Sequence, residues 1–365
     1  MAIQKISGVT IELDNQATGD VAYFDGTDWV RLGKGEAEEV LTMNESATAP
    51  EWAEPVPVWT FPGTVKGYCA TGNTNPSGAG EGPKAIDRWS FTTDGNSTDV
   101  GDVTLGRHHS SGQSSETHGY ISGSFSNGPI TLAIDRWSFD SEGNAVDHGD
   151  LAIQTGTGTG QSSETHGYHT SGRGPGVPDS NHIQKFAFAS TGSTNNALDI
   201  GNLTVARNCQ AGASSSTHGY CCGGYLTGTP GLTVIDKFAY ATDSDATDVG
   251  DVDSSSGSAA GTSSLTHGYI AGGSDPVTSG IRKYSFASDG DSVDGGADLS
   301  SVRHALTGCS SETFGYSAAG YNGPPAAVGS TNIIEKWSVS TDSNATDVGD
   351  LVGAKWYATP VGSQV

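Results

Sequence analysis

From about residue 58 onward, one pattern of apolar and polar positions recurs six times. Its clearest unit is an Ile, any residue, a basic residue, an aromatic, a small residue and a large apolar residue. The first copy reads Ile86-Asp87-Arg88-Trp89-Ser90-Phe91, and counterparts stand at 134–139, 183–188, 235–240, 281–286 and 334–339. Alternate residues of a strand point to opposite faces. Ile86, Arg88 and Ser90 therefore share one face, and Asp87, Trp89 and Phe91 the other. Both faces carry a large apolar side chain, which predicts a strand sandwiched between neighbours.

A Gly-Tyr pair precedes each copy, with its Tyr at 68, 120, 168, 220, 269 and 316. The steps are 52, 48, 52, 49 and 47 residues. Repeats of about 40–50 residues holding several short strands mark a β-propeller. Each repeat offers four strand candidates. They are the Gly-Tyr segment, the marker, a segment such as Thr98 to Val103 after an Asp/Gly/Asn turn, and a Ser/Gly-rich stretch such as Ser110 to Glu116. No long stretch has the 3.6-residue period of a helix. The expectation is an all-β fold, a six-bladed propeller over 58–365 preceded by a small β-hairpin segment over 1–57. Hydrophobic residues followed by Gly-Gly (Gly223-Gly224, Gly272-Gly273) and aromatics resemble kelch-type propellers, which implies the fold alone. Val58 to Phe61 is an extra strand candidate. Ring closure should bring Trp356–Val365 near the first blade.

The repeats differ mainly between the Gly-Tyr strand and the marker. These loops span roughly 73–85, 124–133, 173–182, 225–234, 274–280 and 321–332. In a repeat array such loops emerge on one face, often the binding face. Candidate contact residues there are Phe125, Arg173, Asp179, His182, Tyr225, Asp275 and Tyr321. Drift in unconstrained surface loops is the competing explanation.

The net charge of −24 disfavours nucleic acid or an anionic membrane as partner. Six of the 17 basic residues occupy one marker position: Arg88, Arg136, Lys185, Lys237, Lys283 and Lys336. Asp99, Asp147, Asp199, Asp248, Asp294 and Asp347 are their expected cross-strand partners. No apolar run is long enough for a membrane span, and no signal peptide is evident at Met1 to Lys5. Five cysteines without metal spacing read as free thiols of a reducing cytoplasm.

Residues 1–57 lie outside the repeat. Val21 to Phe24 and Trp29 to Leu32 flank the turn Asp25-Gly26-Thr27-Asp28, a hairpin signal. The segment is too short for a robust core of its own, so it calls for a partner chain. Gly19-Asp20, Tyr23, Asp25-Gly26, Trp29, Leu32, Gly33, Gly35, Leu41, Asn44, Pro50 and Trp52 follow a pattern that resembles a module near the N-termini of tailed-phage tail fibres and related virion proteins. Glu36 to Glu39 depart from it, where the usual version has small or polar residues. The repeats are also similar to repeat proteins of marine phages, notably those infecting cyanobacteria. The resemblance implies a virion component, assembled in the host cytoplasm. Its attachment segment (Tyr23, Phe24, Trp29, Leu32 and Trp52) would bind other virion proteins. It further implies a homo-oligomer, often a trimer in such fibres.

Four copies carry Thr-His-Gly-Tyr, with His118, His166, His218 and His267; the other two have Lys66 and Phe314 there. A histidine ring is one way to hold a metal, but two gaps favour a structural role in each blade. Turns around Asp94, Asp243, Asp245 and Asp342 place oxygen ligands at alternate positions, as Ca²⁺ requires, and are equally plain hairpin chemistry. No catalytic constellation stands out, so no enzyme and no cofactor are expected. The leading expectation is a receptor-binding virion protein holding a host surface glycan or protein. The alternatives are a capsid decoration or tail connector, and a glycan depolymerase.

Overall fold

The computed structural model describes residues 15, 17–37, 39–44, 46–53, 65–74, 82–124, 131–174, 177–189, 195–322 and 329–361. The chain divides into two compact units, residues 1–60 and 61–365. The division falls among residues outside the described set, as does the strand expected at Val58 to Phe61.

In the first unit, Val21–Phe24 pairs antiparallel with Trp29–Leu32, as the alternation predicts. Asp25 shapes the turn, its Oδ1 accepting from the amides of Thr27 and Asp28 at 2.8 and 2.9 Å. A second hairpin pairs Val40–Met43 with Pro50–Ala53. Trp52 ties the two together, its indole donating to the carbonyl of Gly33 at 2.6 Å. No described residue of this unit is buried.

The second unit is all-β among its described residues, with six antiparallel sheets as six blades. In the second blade the order from the axis outward is Ser111–Ser114, His118–Ser122, Ala133–Ser138 and Val146–Asp150. The Ser/Gly-rich stretch is thus the inner strand and the marker the third. The first blade takes its inner strand from the far end of the chain. Thr359–Val361 pairs with Lys66–Ala70 and closes the ring as expected.

The repeat's residue types follow from contacts between blades. The Tyr of each Gly-Tyr pair stacks on the last marker residue of the next blade. Tyr120 and Phe188 rings lie 4.6 Å apart, Tyr168 and Tyr240 4.8 Å, and Tyr316 and Phe91 4.5 Å. Val339 holds this place for Tyr269, whose hydroxyl donates to its carbonyl at 3.0 Å. Apolar side chains on both faces of the marker are thereby buried. The Gly of the pair is needed because the marker aromatic of its own blade lies flat on it. A Cβ at Gly219 would stand 2.3 Å from the Phe238 ring, and one at Gly67 2.5 Å from Trp89.

The marker cations form structural pairs, but not with the acids expected from the sequence. Register sets Arg88 opposite Thr98, and Asp99 opposite Asp87. Asp99, Asp147, Asp248, Asp294 and Asp347 instead accept from the amide two residues on. Five of the six cations reach across to the acidic turn of the next blade: Arg88 to Glu142, Lys185 to Asp243, Lys237 to Asp289, Lys283 to Asp342 and Lys336 to Asp94. Strand pairing alone brings Arg88 and Asp99 near each other. Blade stacking decides which carboxylate the long side chain meets.

A second set of ion pairs is fully buried. Arg107 pairs with Asp135, Arg207 with Asp236, Arg303 with Glu335, and Lys355 with Asp87. The Lys355 pair, at 2.8 Å, links the end of the chain to the first blade. Each basic group joins the crossover between blades to the second marker position.

Candidate functional site: the mouth of the axial cavity

Six crossovers meet the axis at His109, Thr157, Cys209, Ser258, Ala305 and Tyr357, one before each inner strand. Their amides and carbonyls form a closed ring. His109 donates to Tyr357 at 3.1 Å, Thr157 to His109 at 2.8 Å, and Cys209 to Thr157 at 2.7 Å. Ser258 donates to Cys209 at 2.7 Å, Ala305 to Ser258 at 2.7 Å, and Tyr357 to Ala305 at 2.9 Å. The geometry forces all six into the left-handed region, with φ of 57, 60, 54, 53, 55 and 48° in chain order. A residue with a Cβ is strained there and glycine is not. The chain has 53 glycines and uses none at these six places.

The ring surrounds a cavity of about 80 Å³ lined by residues of all six blades. Among the described residues no Asp, Glu, Lys or Arg lines it. The inner strands below run very close together. A Cβ on Gly160 would lie 2.0 Å from the Gly112 carbonyl oxygen, and one on Gly261 2.1 Å from that of Gly212. Farther down, the amides of Ser114, Ser162, Ser214 and Ser263 each donate to the serine hydroxyl of the next blade, at 2.9 to 3.1 Å.

Aromatic rings cluster on one sector of the mouth. His304 touches Tyr321 (centroids 5.6 Å apart), Tyr321 touches Trp356 (5.3 Å) and Trp356 touches Tyr357 (4.9 Å). Tyr357 stacks on His109 at 3.6 Å. All five are half-buried. Burial beside His108 holds the His109 imidazole well below the usual histidine range, and burial also lowers His304. Burial raises the Tyr357 phenol and pushes the Cys209 thiol up to about 11. These groups are neutral at pH 7.

The variable loops emerge at this same end. Ser111, at the top of its inner strand, pairs with Ser122, from which the 124–133 loop departs. Arg173, Tyr225 and Tyr321 occupy one register position, each bridged to the residue just before a ring residue: Gly156, Asn208 and His304. Phe125 aligns with them in sequence and lies outside the described residues. Tyr321 belongs to the aromatic sector. Arg173 is exposed, and the Tyr225 hydroxyl bonds Ser274. Asp275 is exposed and its carbonyl accepts from Ser255 at 2.6 Å. Asp179 is buried and accepts from Asn208 at 2.6 Å and from the Thr227 amide at 2.5 Å, a tie between loops. The stretch 173–182 is less a loop than expected, because Val177–Ala187 continues as strand to the marker. His182 lies in it, with Nδ1 2.9 Å from Asp199.

His118, His166, His218 and His267 stand at the opposite end, each imidazole 2.8 Å from the hydroxyl of the preceding threonine. Among the described residues no group of three or more His, Cys, Asp or Glu is placed to hold a metal. Asp94, Asp243 and Asp342 face lysines, and Asp245 accepts from the Asn202 amide at 2.8 Å. A calcium ion at the first three would compete with an ammonium for the carboxylate. The five cysteines are unpaired.

From the sequence, Trp356 and Tyr357 figure only in the ring-closing stretch, and none of the six ring residues is a site candidate. Their one signal is a column where aligned repeats put His, Thr, Cys, Ser, Ala and Tyr beside otherwise repetitive neighbours. No family model matches the chain, and no curated protein matches it.

Proposed function

We propose that this chain is a component of a bacteriophage virion, a tail fibre or related receptor-binding part, whose propeller presents its loop-bearing face to the host surface. One observation carries the binding part of the reading. The loops that vary most between repeats and the axial cavity open at the same end of the propeller. A rigid scaffold with divergent loops around a mouth is how propellers present binding residues.

The virion part rests on the resemblance of about 35 residues in the first unit. That unit leaves Phe24 55 % and Trp29 47 % exposed, apolar surface suited to cover by other virion proteins or further copies in a trimer. The reading assigns no catalytic step to the chain.

The test is adsorption of labelled full-length protein to cells of candidate host strains. Saturable, strain-specific adsorption that is lost when 73–85 and 321–332 are shortened is the expected result. No adsorption to a strain that the parent phage infects would instead favour a capsid decoration or tail connector.

A further inference from the structure

We propose that the axial mouth and the aromatic sector beside it form a binding site for an uncharged pyranose, the terminal sugar of a neutral glycan. This rests on the reading of the loop-bearing face as the receptor-binding face, and it names the ligand's chemical class. Three independent observations converge on it.

The first is the hydrogen-bonding capacity of the cavity wall. Ser110, Ser111, Thr307 and Gln210 belong to the cavity wall, and among the described residues their three hydroxyls and the Gln210 side-chain carbonyl are buried without a hydrogen-bond partner. These residues are 7, 2, 3 and 5 % exposed. Buried polar atoms left unmatched cost about 1–3 kcal/mol each, so four around one small space point to a ligand with several hydroxyl groups. The ring residues' own amides and carbonyls are consumed by the ring, which leaves side chains to do the recognition.

The second is the aromatic sector. A pyranose has a face of C–H groups that stacks on aromatic rings and a rim of hydroxyls. Tyr357 lines the polar cavity, and Trp356 and Tyr321 continue from it as a row of half-buried rings in contact. The cavity exceeds the ~30 Å³ of one liquid water, enough for a hydroxymethyl or hydroxyl group while the sugar ring stays on the aromatics. The strained backbone agrees, because the ring column keeps side chains where glycine would be easier.

The third is charge. The protein carries −24, yet among the described residues no ionised side chain lines the cavity. Among the described residues no cation lines the cavity itself, Arg173 standing outside it beside the Thr157 and Cys209 crossovers, and the field of the whole protein repels anions. A cavity wall without ionised side chains favours neutral hexoses and N-acetylhexosamines over sialic and uronic acids.

The experiment titrates full-length protein with methyl α-glucoside, methyl α-galactoside, methyl α-mannoside and methyl N-acetyl-β-glucosaminide, using glucuronate and N-acetylneuraminate as charged probes. Saturation-transfer NMR and calorimetry read the binding. At least one neutral glycoside binds saturably, the charged probes do not, and Trp356→Ala and Thr307→Val each weaken binding about tenfold or more. Thermal melting establishes that the variants fold. Should either unfold, Ser111→Ala and Tyr357→Phe remove only a hydroxyl and take its place. Failure of all four glycosides to bind, equal binding of the charged probes, or undiminished binding by the folded variants overturns the sugar site. Host-cell adsorption separates the two readings. Adsorption that survives Trp356→Ala but not loop shortening removes the sugar site and keeps the receptor face. Adsorption absent from every susceptible strain removes the receptor face, and the glycoside titration still decides the site.

Discussion

Lys336 of the sixth blade holds Asp94 of the first through both carboxylate oxygens, at 2.8 and 2.7 Å, and its ammonium also lies 4.6 Å from the centre of the Phe314 ring. The pair crosses the seam where the propeller closes and repeats the link made between other neighbouring blades. Both partners keep contact with solvent, so its contribution is small. Asp94→Asn should cost about 0.5 kcal/mol and lower the melting temperature by roughly 1–2 °C. Lys336→Met, which also loses the ring contact, should cost somewhat more. Thermal melts at low and high salt check both, and the difference from the parent shrinks as salt rises.

The buried pairs behave differently. Arg207 donates to Asp236 and also to the carbonyls of Gly223 and Val234, at 3.2 and 3.0 Å. Asp236→Ala would leave a buried guanidinium without its counter-charge. The expected loss is about 3–5 kcal/mol, read by denaturant unfolding. An effect below 1 kcal/mol would mean that water reaches the site.

Closure of the ring depends on a three-residue strand. Thr359–Val361 supplies the first blade's inner strand, and Trp356 exchanges backbone hydrogen bonds with Asn73 at 2.7 and 3.0 Å. Deleting 356–365 exposes the edge of Lys66–Ala70 and opens the axis. Hydrogen exchange should show lost protection in the first and sixth blades, with aggregation through the free edge.

His169 gives stability a defined pH dependence. Its ring is buried between the Ser122 hydroxyl, 3.1 Å from Nδ1, and the Thr155 hydroxyl, 3.0 Å from Nε2. Burial lowers its pKa to about 4, below the 6.5 of an unfolded chain. The unfolded state then binds the extra proton between these values. Stability from the neutral ring is complete above 6.5 and falls as pH drops toward 4, by about 1.4 kcal/mol per unit where the slope is full. His169→Gln should flatten the dependence relative to the parent between pH 6.5 and 4. Equal slopes in the two proteins would remove His169 as the cause.

The close approach of the inner strands admits no side chain at Gly160. Gly160→Ala places a Cβ against the Gly112 carbonyl and should cost about 1–3 kcal/mol. The same change at Gly95, where a Cβ would meet nothing within 4 Å, has no such contact to disturb, although its φ of +108° adds backbone strain. Parallel melts of the two variants separate the contact from the strain.

Much of this molecule is written in the chain. The six copies of Ile86 to Phe91 and of the Gly-Tyr pair specify strands apolar on both faces, and such strands are stable only between blades. Their spacing sets six blades of four strands, and the Asp25 to Asp28 turn sets the first hairpin. These features are local, or repeat at a fixed interval, so a linear pattern carries them. The mouth is different. His109 and Tyr357 meet because the ring closes, and the blank column of His, Thr, Cys, Ser, Ala and Tyr means nothing until six crossovers converge on one axis. The choice of Glu142 for Arg88, or of Asp94 for Lys336, is likewise a matter of how blades stack, since the register sets each cation opposite a threonine. The sequence by itself determined the blade, its number and the end from which the variable loops emerge. Only the tertiary structure decided which side chains share the mouth, because distances across the axis depend on closure and not on order along the chain.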